Sequence, residues 1–247
     1  MKFLIQKINN QIVHDFSFTL LESIKFQNWL QDEKAISYRF LNCNDDNVWF
    51  FKDFHQHYVP VGSVEFVLSW FKRFGIDEPR PVNIPEELNE PFHTKRLIKN
   101  GNYMDIENLV HGKWFVKSAD KIKGLAEVLR IDDNHIWKIP AGNYQMSEYI
   151  NIDSEWRAFV YQSKLVGLQN YSGDYTKFPD IESILWMIHR YKSAPIAYTL
   201  DVGVNGRDTF IIEAHDFFSC GLYGFANHKI YPYMLYRWFQ QYLKKNN

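Results

Sequence analysis

"YTLDVGVNGRDTFIIEAHDFFSCGLYGF", residues 198–225, is the stretch on which the reading of this chain turns. Two runs rich in β-branched and aromatic residues flank Asn205-Gly206, the composition of a β-hairpin. Yet the runs carry Asp201, Glu213 and His215. Residues two apart on a strand share a face, so Glu213 and His215 point together and Ala214 points away. The position of Asp201 depends on loop parity. A two-residue turn at Asn205-Gly206 sets Asp201 opposite Phe210 and sends Glu213 to the other face. An odd-length loop, with a bulge, sets Asp201 opposite Glu213. The odd loop is expected here.

Two carboxylates held that close need a compensating charge. A divalent cation supplies one, and Mg²⁺ is commonly held by one or two carboxylates together with substrate phosphates. Asp201, Glu213 and His215 are therefore the candidate metal ligands. The bland alternative makes the acids edge-strand surface residues and the histidine a turn residue.

Working outward, 46% of the 247 residues are hydrophobic and 23% are charged, which is the composition of a folded globular chain rather than a disordered one. The basic and acidic totals, 28 and 29, nearly cancel, so nothing in the bulk charge calls for a nucleic-acid partner. Two cysteines, Cys43 and Cys220, lie far apart without metal-ligand spacing, as expected of a reduced cytoplasmic protein. The first residues lack the apolar run of a signal peptide. No stretch reaches the roughly 20 apolar residues of a membrane span. A homodimer is left open.

Before the proline-rich stretch "DEPRPVNIPEEL" (77–88), strands are expected over 2–8, 35–42 and 47–54, with helices over 18–31 and 63–74. Ser63 has the position of a helix N-cap and Gly75 that of a stop. Prolines at such density exclude a regular helix or central strand, so 77–88 is read as a linker. It separates a small α/β unit, 1–78, from a larger one, 79–247. The larger unit is expected to hold short helices near 94–101 and 120–130. Strands are expected over 113–118, 143–150 and the hairpin 155–172, and helices over 180–192 and 231–245.

Two further clusters bear on chemistry. In "KWFVKSADKIKG" (113–124), Lys113, Phe115 and Lys117 share a strand face, and Lys121 and Lys123 follow in a loop. Ammonium groups held this way grip phosphate oxygens as point charges; a solvated lysine loop is the plainer reading. In "SEYINIDSEWRAFV" (147–160), Glu155, Arg157 and Phe159 share a face, so Arg157 either pairs with Glu155 or aims at an anion. His55 and His57 in "FHQHY" lack a third ligand and read as exposed strand histidines. "YSGDY" (171–175) is either acceptor-site lining or a tight turn. Cys220 reads as a small buried residue.

The ordered set resembles the ATP-grasp superfamily, and within it the R2K clade of bacteria and phages. "VPVGSVEF" (59–66), "FVKS" (115–118), "SEWRAFV" (154–160) and the "LDV…E…GLYGF" tail (200–225) carry the resemblance, which covers most of the chain. It implies an α/β (α+β) ATP-grasp fold, with a small N-terminal pre-ATP-grasp-like domain and two lobes hinged near 146–152. It implies an ATP-dependent carboxylate–amine ligase that forms an amide or peptide bond through an acyl phosphate, releasing ADP and phosphate. Lys117 would reach the ATP α- and β-phosphates. Lys123, or Lys121, would close over the phosphates. Glu148, Tyr149 and Ile150 would hold adenine, and Glu155 the ribose. Arg157 would face the γ-phosphate or the acceptor. Asp201 and Glu213 would hold Mg²⁺.

Two positions depart from the family's pattern. His215 stands where an asparagine is usual; imidazole suits hard Mg²⁺ poorly and Mn²⁺ better. The lysine loop is short and poor in glycine. The partners implied are ATP and an unknown small-molecule or peptide carboxylate and amine. Arg96 is the candidate for gripping an anionic acceptor. A nucleotidyltransferase would need an aspartate where Lys123 stands, and a protein kinase would need a glycine-rich loop and motifs that are absent. A non-catalytic ATP-binding or assembly protein on the same scaffold is the remaining rival.

Overall fold

A computed structural model describes residues 1–31, 35–44, 54–132 and 139–245. The strand expected over 47–54 lies almost wholly outside them. The N-terminal region holds three parallel strands in the order β2-β1-β3: β1 (Lys2–Lys7), β2 (Ser37–Asn42) and β3 (Val59–Val61). β1 is central, and Phe3, Leu4 and Ile5 are all fully buried. A continuous apolar run is what a strand covered on both faces requires. Helix α1 (Asp15–Leu30) and helix α2 (Val64–Arg73) belong to this layer. Ser63 does cap α2, its hydroxyl accepting from Phe66 N–H at 3.1 Å.

Two antiparallel four-stranded sheets follow. The first has the order β4-β7-β5-β6, from β4 (Ile98–Asn102), β5 (Gly112–Ser118), β6 (Ala126–Ile131) and β7 (Asn143–Glu148). Trp114, Val116, Leu129 and Met146 form its small core. The second has the order β11-β10-β8-β9, from β8 (Ser154–Tyr161), β9 (Lys164–Gly173), β10 (Ala197–Asn205) and β11 (Asp208–Asp216). Helix α4 (Ile181–Arg190) buries Ile184, Met187 and Ile188 against Ala158, Leu200 and Val202 of that sheet.

Two expected helices are strands. Helix α3 (Pro91–Thr94) lasts one turn and stops at Lys95, whose φ of 53° is left-handed; the chain then enters β4 and pairs with β7. Residues 126–131 pair with β5 and turn Leu129 and Ile131 inward. Sheet pairing overrides weak helical propensity there. His55 and His57 are exposed on the turn before β3 rather than on a strand.

The proline-rich stretch is a packed strap, not a free tether. Asn83 O accepts from Ala214 N–H of β11 at 2.7 Å, and its amide donates to Ser118 O of β5 at 3.1 Å. The buried Gln145 side chain of β7 bonds both the N–H and the C=O of Ile84. The strap therefore touches both four-stranded sheets. Helix α5 (Tyr231–Lys245) returns to the N-terminal layer, where Trp238 and Phe239 share one core with Leu4, Trp70 and Phe71.

Candidate active site

The hairpin β10–β11 does bring Asp201 opposite Glu213, by a different device from the odd loop expected. The turn is two residues, Gly206-Arg207, between the paired Asn205 and Asp208, and Gly206 has φ +59°. That turn alone would set Asp201 against Ile212. The register shifts between Asp201 and Val202, so Ile212 is the extra residue and Glu213 falls opposite Asp201. The odd residue sits inside the strand as a bulge, not in the loop.

Ligand-type atoms of Asp201, Glu213 and His215 lie within 4.8 Å of one another. Each acid already has a cation. Arg157, directly across from Asp201 on β8, donates Nε–H to Oδ1 at 2.8 Å and Nη2–H to Oδ2 at 2.7 Å. This is a bidentate pair, and both residues are buried. Lys117 forms an ion pair with Glu213 Oε2. The other oxygen, Oε1, lies 2.6 Å from His215 Nε2.

Burial, aided by Lys117 and Arg157 and opposed by Asp201, pushes His215 down to about 4. The ring is therefore neutral near pH 7, and Nε2 donates to Glu213, which leaves the lone pair on Nδ1. Burial and the nearby Arg157 push Lys117 down to about 8 against the pull of Asp201. Burial opposes the charge of Arg157, yet the hydrogen bonds and charge of Asp201 outweigh it and raise that group.

All of these groups except His215 line a cleft of about 500 Å³ between the two four-stranded sheets. Lys117, Glu148, Tyr149, Ile150, Glu155, Arg157, Asp201 and Glu213 all line it. Phe115, Val128, Ile152 and Ile212 add apolar wall. Glu155 accepts from Tyr171 O–H at 2.9 Å, and Tyr171 stacks on Tyr223 with centroids 5.2 Å apart. The Arg157 guanidinium lies 5.2 Å from the Tyr223 centroid and donates to Gly221 O. After β7, Glu148 N–H donates to Leu97 O and Tyr149 N–H to Lys113 O. The Glu148 carboxylate accepts from Leu97 N–H at 2.8 Å. Ile150 N–H has no partner among the described residues.

His215, Lys121 and Lys123 line a second, adjoining cavity instead. Lys123 reaches across to Glu65 in the first turn of α2, at 2.6 and 2.9 Å. Arg96 lines the larger cleft, but its guanidinium donates to the carbonyls of Thr94 and Ile211 and is pushed down to about 10 by burial. Cys220, partly buried, borders the second cavity, and burial pushes its thiol up to about 11.

The sequence reading did not assign Asn83, Gln145 or Tyr223. The prolines around Asn83 masked its place in the site, and Gln145 gives no signal beyond alternation. Tyr223 has φ +50° and precedes Gly224 at +94°, so "GLYGF" was the available clue. The donor set fits one divalent cation: each paired carboxylate oxygen keeps a lone pair beyond its present hydrogen bond.

No helix among the described residues is long and apolar enough to cross a membrane. The family model for the ATP-grasp domain, R2K clade family 2, matches residues 93–232, more than half of the chain. No curated protein matches it in sequence. Among solved structures, N5-carboxyaminoimidazole synthetase from Staphylococcus aureus matches at TM-score 0.53 and 9% identity, over 87% of this chain and 71% of that one. The RimK domain ATP-grasp protein from Sphaerobacter thermophilus DSM 20745 matches at 0.51 and 10%, over 99% and 100%. The ATP-grasp ligase PsnB complexed with minimal precursor matches at 0.51 and 8%, over 96% and 100%. At such identities the likeness shows the fold, and it is the ATP-grasp fold that the sequence led one to expect. With its family model matched across both four-stranded sheets, the chain belongs to the ATP-grasp proteins of R2K clade family 2.

Proposed function

We propose that the protein is an ATP-dependent carboxylate–amine ligase. The observation that carries this reading is the meeting, in one cleft, of the apolar surfaces of Tyr149 and Ile150 with the charged Lys117, Arg157, Asp201 and Glu213. About 500 Å³ lies within the usual range of roughly 300–1,000 Å³ for small-ligand sites. Adenine would lie against Tyr149 and Ile150, with Glu155 near the ribose. Lys117 would take the α- and β-phosphates. Lys121 or Lys123 would approach the terminal phosphate from the adjoining cavity. Residues 1–78 would form the N-terminal unit and 79–247 the ATP-grasp unit, moving about 146–152.

An acceptor carboxylate oxygen would attack the γ-phosphorus, breaking its bond to ADP. An amine would then attack the acyl carbon and expel phosphate. Little covalent help is needed, so positioning and charge neutralisation are the work of the protein. Arg157, fixed by Asp201, would hold the developing charge. Bound at Asp201 and Glu213, Mg²⁺ would offset phosphate charge; His215 makes Mn²⁺ the competing cation to test, because imidazole suits it better.

The test is calorimetric titration with Mg-ATP, followed by assay for ADP and phosphate with candidate amino acids and peptides. Wild type should bind ATP. Lys117→Ala and Glu213→Ala should each weaken it at least about tenfold, a loss of about 1.4 kcal/mol. Unchanged affinity in both variants would remove the site assignment. His215 in place of asparagine favours a second reading, a non-catalytic ATP-binding or assembly protein. Tight binding without turnover for any acceptor would select it.

A further inference from the structure

The adjoining cavity, about 340 Å³, meets the larger cleft at Lys117, Ala126, Arg157 and Tyr223. Its charge is lopsided. Five basic side chains line it: Arg80, Lys117, Lys121, Lys123 and Arg157. Three of them are consumed, by Glu213, Glu65 and Asp201 respectively. The one acid on its wall is Asp216, partly buried, which accepts from Trp238 Nε1–H at 2.9 Å. Burial pushes that carboxyl up, and it is the single acid set against five basic side chains.

Arg80 and Lys121 remain without an ion-pair partner within 4 Å among the described residues. They feel Asp120 only through space, helping to hold its carboxylate low after the hydrogen bonds from Asn143. They also border a separate groove with Asp77, Glu78 and Asp120. Val64, the first residue of the ten-residue helix α2, forms part of the cavity wall. The start of α2, already capped by Ser63, adds the positive end of the helix dipole. Val82, Ile122, Leu125 and Phe218 supply apolar wall in the same cavity.

We propose that this cavity takes the acceptor, and that the acceptor is a small organic acid carrying a second anionic group. That second group meets Arg80 beside the start of α2, joined by Lys121 where Lys123 is the lysine that serves the terminal phosphate. The carboxylate to be activated lies at Arg157, at the opening into the larger cleft. A simple monocarboxylate at Arg157 would leave the cationic edge unmatched. The inference rests on the nucleotide reading of the larger cleft, and Arg80 separates the two, since it lines the second cavity and not the first.

The experiment titrates the full chain, with Mg²⁺ and a non-hydrolysable ATP analogue, with succinate, glutarate and adipate, each against butyrate. At least one dicarboxylate should bind about tenfold or more tighter than butyrate. Arg80→Gln should abolish that preference and Arg80→Lys should keep most of it, with affinity for the analogue unchanged in both. Arg80 is exposed, so neither change threatens the fold. No preference for any dicarboxylate, or one that survives both Arg80→Gln and Lys121→Gln, overturns the proposal. Failure of the analogue to bind wild type sinks the nucleotide reading instead, and a dicarboxylate preference lost in Arg80→Gln would still stand for the cavity.

Discussion

Asp201 illustrates how far one side chain can serve two ends. Its carboxylate is 1% exposed and is held on both oxygens by Arg157. Asp201→Asn would strand a buried guanidinium, and removing one partner of a buried pair costs about 3–5 kcal/mol. Urea denaturation of the variant should show that loss with no ligand present. Restoring the stability through Arg157→Gln on the Asn background would trace it to the unpaired charge. The sequence named both residues and put Arg157 near an anion. It did not pair Arg157 with Asp201, because the two are 44 positions apart and only the β8–β10 register sets them side by side. Glu155 was the nearer partner in sequence, and it instead bonds Tyr171.

At the scale of elements, hairpins and caps follow local rules closely. Ser63 was legible as the α2 cap because a hydroxyl before an amphipathic run has one good use. Ser63→Ala should cost about 1 kcal/mol, seen as a lower urea midpoint with unchanged slope. Gly167 on β9 was not legible. A Cβ there would meet the Phe225 ring at 2.4 Å, the same ring that stacks on Phe159 with centroids 4.2 Å apart. Gly167→Ala should therefore destabilise by about 1–3 kcal/mol, the usual cost of overpacking, measured the same way. The bulge at Ile212 was anticipated only as a parity requirement. A bulge has no strong residue signature, and its place depends on the partner strand.

Across the whole molecule, the returning helix α5 ties the last residues to the first. Phe239→Ala should cost about 3–5 kcal/mol, since the ring is fully buried in the core shared with Leu4 and Phe71. Acid sensitivity is also a property of the fold. Burial pushes His93 below its ordinary value near 6.5, with Arg190 and Lys95 adding and Glu90 opposing. His215 is pushed down to about 4. Between roughly pH 6.5 and 4 the unfolded chain then takes up protons that the folded chain refuses, so stability falls as pH falls. Asp216, raised by burial, opposes this trend. Urea midpoints at pH 7 and pH 5 should differ accordingly, and His93→Gln should narrow the gap. By itself the sequence determined the types and order of the chemical groups, the α/β class and most elements, because alternation, caps and motif order are local or linear properties. The tertiary structure alone decided which acid each cation neutralises, that residues 77–88 are a strap, and that the lysine loop opens on a second cavity. Those depend on register and on packing between sheets distant in sequence, where a one-residue shift changes every partner.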